Sequence, residues 1–200
     1  RGGTIEQGNV YGGQSRSGNV EYNQVDVLAG TFNNVYVYGG YSGTGSATGN
    51  TATISGGTIT GKVVGGASNN TATDNKVILA KGAAAANLNN ATLYGSTRSN
   101  GDSLPTTHDG NTLTVGGEKN ITVATVKNFD VYDFQLGDVK NGDTILNLLN
   151  DTNLGDATVK VTNAGNVIPT GDITGDRTYL YLMKLADGKT LTFNGTVDVE

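Results

Sequence analysis

The chain has 200 residues, a net charge of -5, 31 Gly, two Pro, one His and neither Cys nor Trp. Without Cys there is no disulfide framework, thiolate metal site or Cys nucleophile, and a lone His excludes His-rich metal centres and two-His mechanisms. An acidic balance argues against non-specific nucleic-acid binding, and no apolar run approaches the ~18 residues of a membrane span.

Val, Leu, Ile and Phe make up roughly 23%, just above the ~20% below which disorder is expected, so the chain buries a thin core. It starts at Arg1 without an initiator Met, and so reads as a piece of a longer precursor or a processed form. The first 100 residues carry 6 Lys/Arg and 4 Asp/Glu, the last 100 carry 7 and 14, and 19 of the Gly lie in the first half.

Along the chain the dominant signal is a repeat. Val10-Tyr11-Gly12-Gly13 returns as Val37-Tyr38-Gly39-Gly40, as Val63-Val64-Gly65-Gly66 and as Leu93-Tyr94-Gly95-Ser96. A second marker, Asn-x-apolar-x-apolar, starts at Asn23, Asn50, Asn75 and Asn111, and a third anchor runs Ile5, Phe32, Ile59, Leu88. Within each unit apolar residues alternate with polar ones, the period of a strand. Gly pairs are read as turns that need positive φ. A unit of about 26 residues cannot bury its apolar face alone, because its few aliphatics do not offset ~1–2 kcal/mol per ordered residue; stacking on its neighbours supplies the rest. The expected fold is therefore all-β, a parallel β-helix (β-solenoid). Val10, Val37, Val63 and Leu93 are expected as stacked core positions.

The four Asn tolerate left-handed backbone at a turn and, at the ~4.8 Å coil spacing, are expected to bond from coil to coil as a structural ladder. The residue after each inward Val or Leu of the first marker points outward. Tyr11, Tyr38 and Tyr94 then share an outer column broken by Val64, with Tyr36 and Tyr41 nearby. These five are candidate ligand-binding residues, offering stacking faces and hydroxyls to a glycan or protein; cross-strand aromatic packing that stiffens the sheet is the favoured reading of them.

Residues 83–90 have a helix-like composition, and 96–110, with Pro105, read as a long exposed loop. Residues 1–117 form the Gly-rich repeat coils. Residues 118–200 are either final coils or a β cap of the same solenoid, with strands expected at 120–126, 129–136, 143–149, 157–162, 178–185 and 190–199. The large apolar side chains of this second part mark it as the more resistant end.

Few residues fit a catalytic pattern. Gly56 to Val63 matches G-x-x-x-x-G-K but ends in Val, where a P-loop needs Ser or Thr. His108 beside Asp109 reads as a surface loop residue. Asp172 and Asp176 alone do not supply the six to eight oxygens of a calcium site. Asp130, Asp133 and Asp138 raise a glycosidase question that needs two placed carboxylates. No catalytic residue, metal or cofactor is expected.

The units Thr53 to Ile59 and Val63 to Gly66 resemble the degenerate repeats of autotransporter passenger regions of Gram-negative bacteria. The run from Asn111 through Val126-Lys127-Asn128-Phe129 and Tyr132 to Leu136, then Asn141-Gly142-Asp143-Thr144, resembles the segment that follows them. The resemblance implies a right-handed β-helix, type V export, and secretion or display at the cell surface. It also implies a signal peptide and a C-terminal membrane barrel elsewhere in the precursor. It transfers no catalytic residue. The expected function is a non-enzymatic adhesin-like surface that contacts a host glycan or protein, or self-associates. A polysaccharide lyase or hydrolase on the same fold, and a purely structural stalk, are the alternatives.

Overall fold

A computed structural model describes residues 2–137, 139–162 and 180–200. The fold is all-β, 59% strand, with long parallel sheets in the manner of a parallel β-helix. Each turn of the chain gives one strand to each of two main walls, except that the first turn gives the first wall two, both paired with the same strand of the next coil. The first wall takes β1 (Thr4–Ile5), β2 (Gly8–Ser15), β5 (Thr31–Ser42), β8 (Thr58–Ala67), β11 (Asn87–Thr97), β13 (Ile121–Lys127), β15 (Thr144–Leu148) and β18 (Tyr181–Leu185). The second takes β4 (Gln24–Val27), β7 (Thr51–Ile54), β10 (Lys76–Leu79), β12 (Thr112–Gly116), β14 (Val131–Gln135), β17 (Thr158–Thr162) and β20 (Thr196–Val199), which gives seven coils among the described residues. A third wall is discontinuous. Its first part is β3 (Val20–Glu21), β6 (Ser46–Thr48) and β9 (Thr71–Thr73); its last is β16 (Thr152–Gly155) with β19 (Leu191–Phe193).

The expected register holds: Val10 pairs with Val37, Val37 with Val63 and Val63 with Leu93, and the column continues to Val126. On the second wall Val27, Ile54, Leu79, Val115, Phe134 and Val161 form one inward column. These columns merge into one apolar core along the axis. The alternation in sequence is thus an alternation in burial, with Ala52 and Ile54 at 0% exposure while Thr51 and Thr53 face outward.

The strands after residue 118 pair in parallel with the preceding coils. Large side chains, among them Tyr132, Phe134, Leu146 and Leu148, are fully buried there. The last coil differs: Tyr181, Leu191, Val197 and Val199 are exposed, so the large buried side chains of 118–200 are concentrated in its first coils. The segment 190–199 is two strands, β19 and β20, because Asn194 and Gly195 turn the corner between walls. Residues 178 and 179, like Asp138, Asp172 and Asp176, lie outside the described residues. Of the helix-like stretch 83–90, only a 3-10 turn at Ala83–Ala85 forms before β11 takes over.

One sequence inference needs correction. The Gly pairs of the repeat marker do not turn the chain; they lie within β2, β5 and β8, and positive φ is found instead at corner residues such as Gly57 (φ 89°). The second Gly of each pair is there because a Cβ at Gly13, Gly40 or Gly66 would overlap the side-chain amide of Asn23, Asn50 or Asn75. The two repeat markers are therefore halves of one packing unit.

Candidate functional site

The Asn ladder is present, and its buried rungs are bonded in full. Asn23 donates to Asn50 Oδ1 from its backbone N (3.0 Å) and from Nδ2 (3.1 Å). Asn50 does the same to Asn75 (3.0 and 3.0 Å), and Asn75 to Asn111 (3.1 and 3.1 Å). The second proton of each Nδ2 goes to a carbonyl of the third wall: Glu21, Val20, Ala47 and Ala72 in turn. Asn50, Asn75 and Asn111 are fully buried, so these bonds are the only means of satisfying their amides. The ladder ends at Asp130, whose Oδ2 accepts from Asn111 N (2.9 Å) and Nδ2 (3.4 Å). A carboxylate only accepts, so it receives the last donors and hands nothing on.

The outward tyrosines form a second, smaller core rather than an open column. Tyr11 stacks on Tyr38 at 5.3 Å between centroids, and Tyr41 meets both edge-on at 5.4 Å. The loop at 98–104 folds over them. Tyr41 Oη donates to the Ser99 carbonyl (3.0 Å), and Asp102 pairs with Lys62 (2.5 Å), whose Nζ stands 4.6 Å from the Tyr36 ring centre. Tyr38 and Tyr94 are left 9% and 3% exposed, so of the five candidate tyrosines these two offer no free stacking face. Burial, with the charge of Asp102 beside it, pushes the Tyr94 phenol up to about 12, and burial raises Tyr38 further. Tyr36 is exposed, while Tyr11 and Tyr41 are half-buried.

The carboxylates raised by the sequence are held apart in role. Asp130 terminates the ladder. Asp133, on the outer face of β14, accepts from Gln135 Nε2 (2.9 Å) and Thr162 Oγ1 (3.4 Å). Within the core, Tyr132 Oη has no hydrogen-bond partner among the described residues; burial and the nearby charge of Asp130 raise its pKa.

One concave feature was not anticipated as a site. A notch of about 560 Å³ is lined by Leu104, His108, Asp109, Asn128, Phe129, Asp130 and residues 153–157. Its origin is a shortened coil. Successive ladder residues are 27, 25 and 36 apart, but Asn111 and Asp130 are only 19 apart. The chain passes from β13 to β14 through Asn128-Phe129-Asp130 alone, turning on the left-handed backbone of Asn128 (φ 58°), and gives the third wall no strand. The 19-residue spacing is visible in sequence once Asp130 is accepted as a ladder position, but a marker defined by Asn stops at Asn111.

No family model, curated protein or solved structure matches the chain.

Proposed function

We propose that the chain is a non-catalytic binding rod, a segment of an autotransporter-type passenger that is exported and displayed at the cell surface. There it would contact a host glycan or protein through side chains repeated along its outer walls. The observation that carries this reading is the coil-to-coil register of outward positions, for example Asn9, Tyr36, Lys62 and Thr92 in one column. A ligand with its own repeat meets several such positions at once, and linked weak contacts multiply into avidity. The resemblance of the repeat units to passenger regions supports export. The engagement of Asp130 with the ladder and of Asp133 with Gln135 and Thr162 weighs against a two-carboxylate hydrolase.

Purified chain, applied to arrays of host glycans and matrix proteins, tests this reading. Binding that falls more than proportionally when outward residues such as Tyr36 and Thr92 are replaced together is expected. A chain that binds nothing on such arrays is a stalk, and the proposal fails.

A further inference from the structure

The notch has the dimensions of one absent strand. On its N-terminal side, residues 107–109 extend the third wall beyond β9. Thr107 N donates to Asn70 O (2.7 Å), Ala72 N to Thr107 O (2.9 Å) and Asp74 N to Asp109 O (2.8 Å). On its C-terminal side stands β16, whose Thr152 N donates to Thr190 O (3.0 Å) on the side of β19. The fifth coil supplies nothing between them, whereas in both main walls its strands β13 and β14 sit between those of the fourth and sixth coils. Two strand spacings, ~10 Å, therefore separate the two edges, which leaves room for one strand between them.

Both edges are oriented to receive it. In a parallel ladder the peptide groups of alternate residues face opposite neighbours. Thr107 and Asp109 face β9, so the N–H and C=O of His108 face the gap. Thr152 faces β19, so the peptide group of Asn153 faces the gap from the other side. Unpaired strand edges are templates for another strand. The side chains state its chemistry: Leu104, Phe129 and Leu154 give an apolar floor, Asp109, Asp130 and Asp156 line the rim, and no Lys or Arg among the described residues lines the notch.

We propose that this one-strand gap is a β-augmentation site, filled by an extended segment of a partner protein in which Lys or Arg alternates with an apolar residue. The guest's backbone bonds to His108 and Asn153 and makes the third wall continuous. Its apolar side chains sit on Phe129 and Leu154, and its cations meet the three carboxylates. The site is a property of the coil and does not depend on where the rod is displayed.

The test uses the full chain and three synthetic peptides: alternating Lys and Val, alternating Glu and Val, and the Lys/Val peptide methylated on alternate backbone nitrogens. Affinity is read by fluorescence anisotropy, and the contact by amide hydrogen exchange. The Lys/Val peptide is expected to bind at least tenfold more tightly than the Glu/Val peptide and to protect the amides of His108 and Asn153. N-methylation is expected to cost at least tenfold. Asp156→Lys, an exposed position, is expected to weaken binding several-fold while leaving the circular dichroism spectrum unchanged. Affinity that survives N-methylation would mark a charged patch rather than a strand site. That result overturns the proposal, as do protection confined to the terminal strands β18 and β20, a chain dimer that excludes the peptide, and the absence of binding at millimolar peptide.

Discussion

Replacing Asn75 with Ala removes one rung from the interior of the ladder. Asn75 Oδ1 accepts both from Asn50 N and from Asn50 Nδ2, and its own Nδ2 donates to Ala47 O and to Asn111 Oδ1. Asn111 Oδ1 keeps its bond from Asn75 backbone N, so that acceptor remains served. The two Asn50 donors do not; they are left in a site with 0% exposure. Each unsatisfied buried donor costs ~1–3 kcal/mol, so Asn75→Ala should lower stability by about 2–6 kcal/mol, a large part of the ~5–15 kcal/mol of an ordinary domain. Asn23→Ala removes a rung at the open end, where no side chain donates to Asn23 Oδ1 among the described residues and water reaches the position; it should cost no more than about 1 kcal/mol. Urea unfolding followed by circular dichroism, with both variants beside the parent, measures the difference. Equal midpoints for Asn75→Ala and Asn23→Ala would refute the claim that the ladder is a buried, mutually dependent network.

Three further outcomes follow from the same packing. Val37→Asp places an unpaired carboxylate in the core column and should cost more than about 4 kcal/mol, while Thr51→Asp, between Gln24 and Lys76 on the outer face, should stay within about 0.5 kcal/mol in the same urea assay. Tyr132→Phe removes a buried hydroxyl without a partner and keeps the ring against Phe129, so it should raise stability by about 1 kcal/mol; a loss in thermal or urea unfolding would mean that the hydroxyl is bonded. Lys119 and the Lys140 backbone N–H hold the Asp143 carboxyl below its ordinary value, and the Thr190 backbone N–H does the same for Asp151. Both contributions are therefore complete above the unfolded value of ~3.9 and disappear as pH falls through the lower folded values, so Asp143→Asn should flatten the acid limb of a stability–pH profile; an unchanged limb would contradict this.

Much of the architecture was legible because a parallel coil stack writes itself into sequence. Val37 and Val63 keep phase because each packs on the next, and Asn50 and Asn75 keep phase because each bonds the next. Less legible was the reason for the paired Gly. Gly40 lies in a strand, and only the position of the Asn50 amide explains its missing side chain. The tyrosines were placed on the correct face, but their cover was not foreseen, since the contacts from Ser99 to Tyr41 and from Asp102 to Lys62 join residues 58 and 40 positions apart. The notch escaped for a related reason. It is made by the residues that the fifth coil lacks, and a search for chemical motifs does not register a deficit. Asp130 looked like a lone acid because its role depends on Asn111, the residue one coil before it.

Among the described residues seven coils stack in continuous parallel register. Gln24 and Thr196 sit at the two ends of one outward column, which runs through Thr51, Lys76, Thr112, Val131 and Thr158. The chain contains no Cys, so spin labels on Gln24→Cys and Thr196→Cys report this pair alone. Six coil spacings of ~4.8 Å place the labelled positions ~29 Å apart. A pulsed electron–electron double resonance distribution with a single narrow peak near that distance is the predicted result. A broad distribution, or a peak well below it as antiparallel hairpins would give, would contradict the stack.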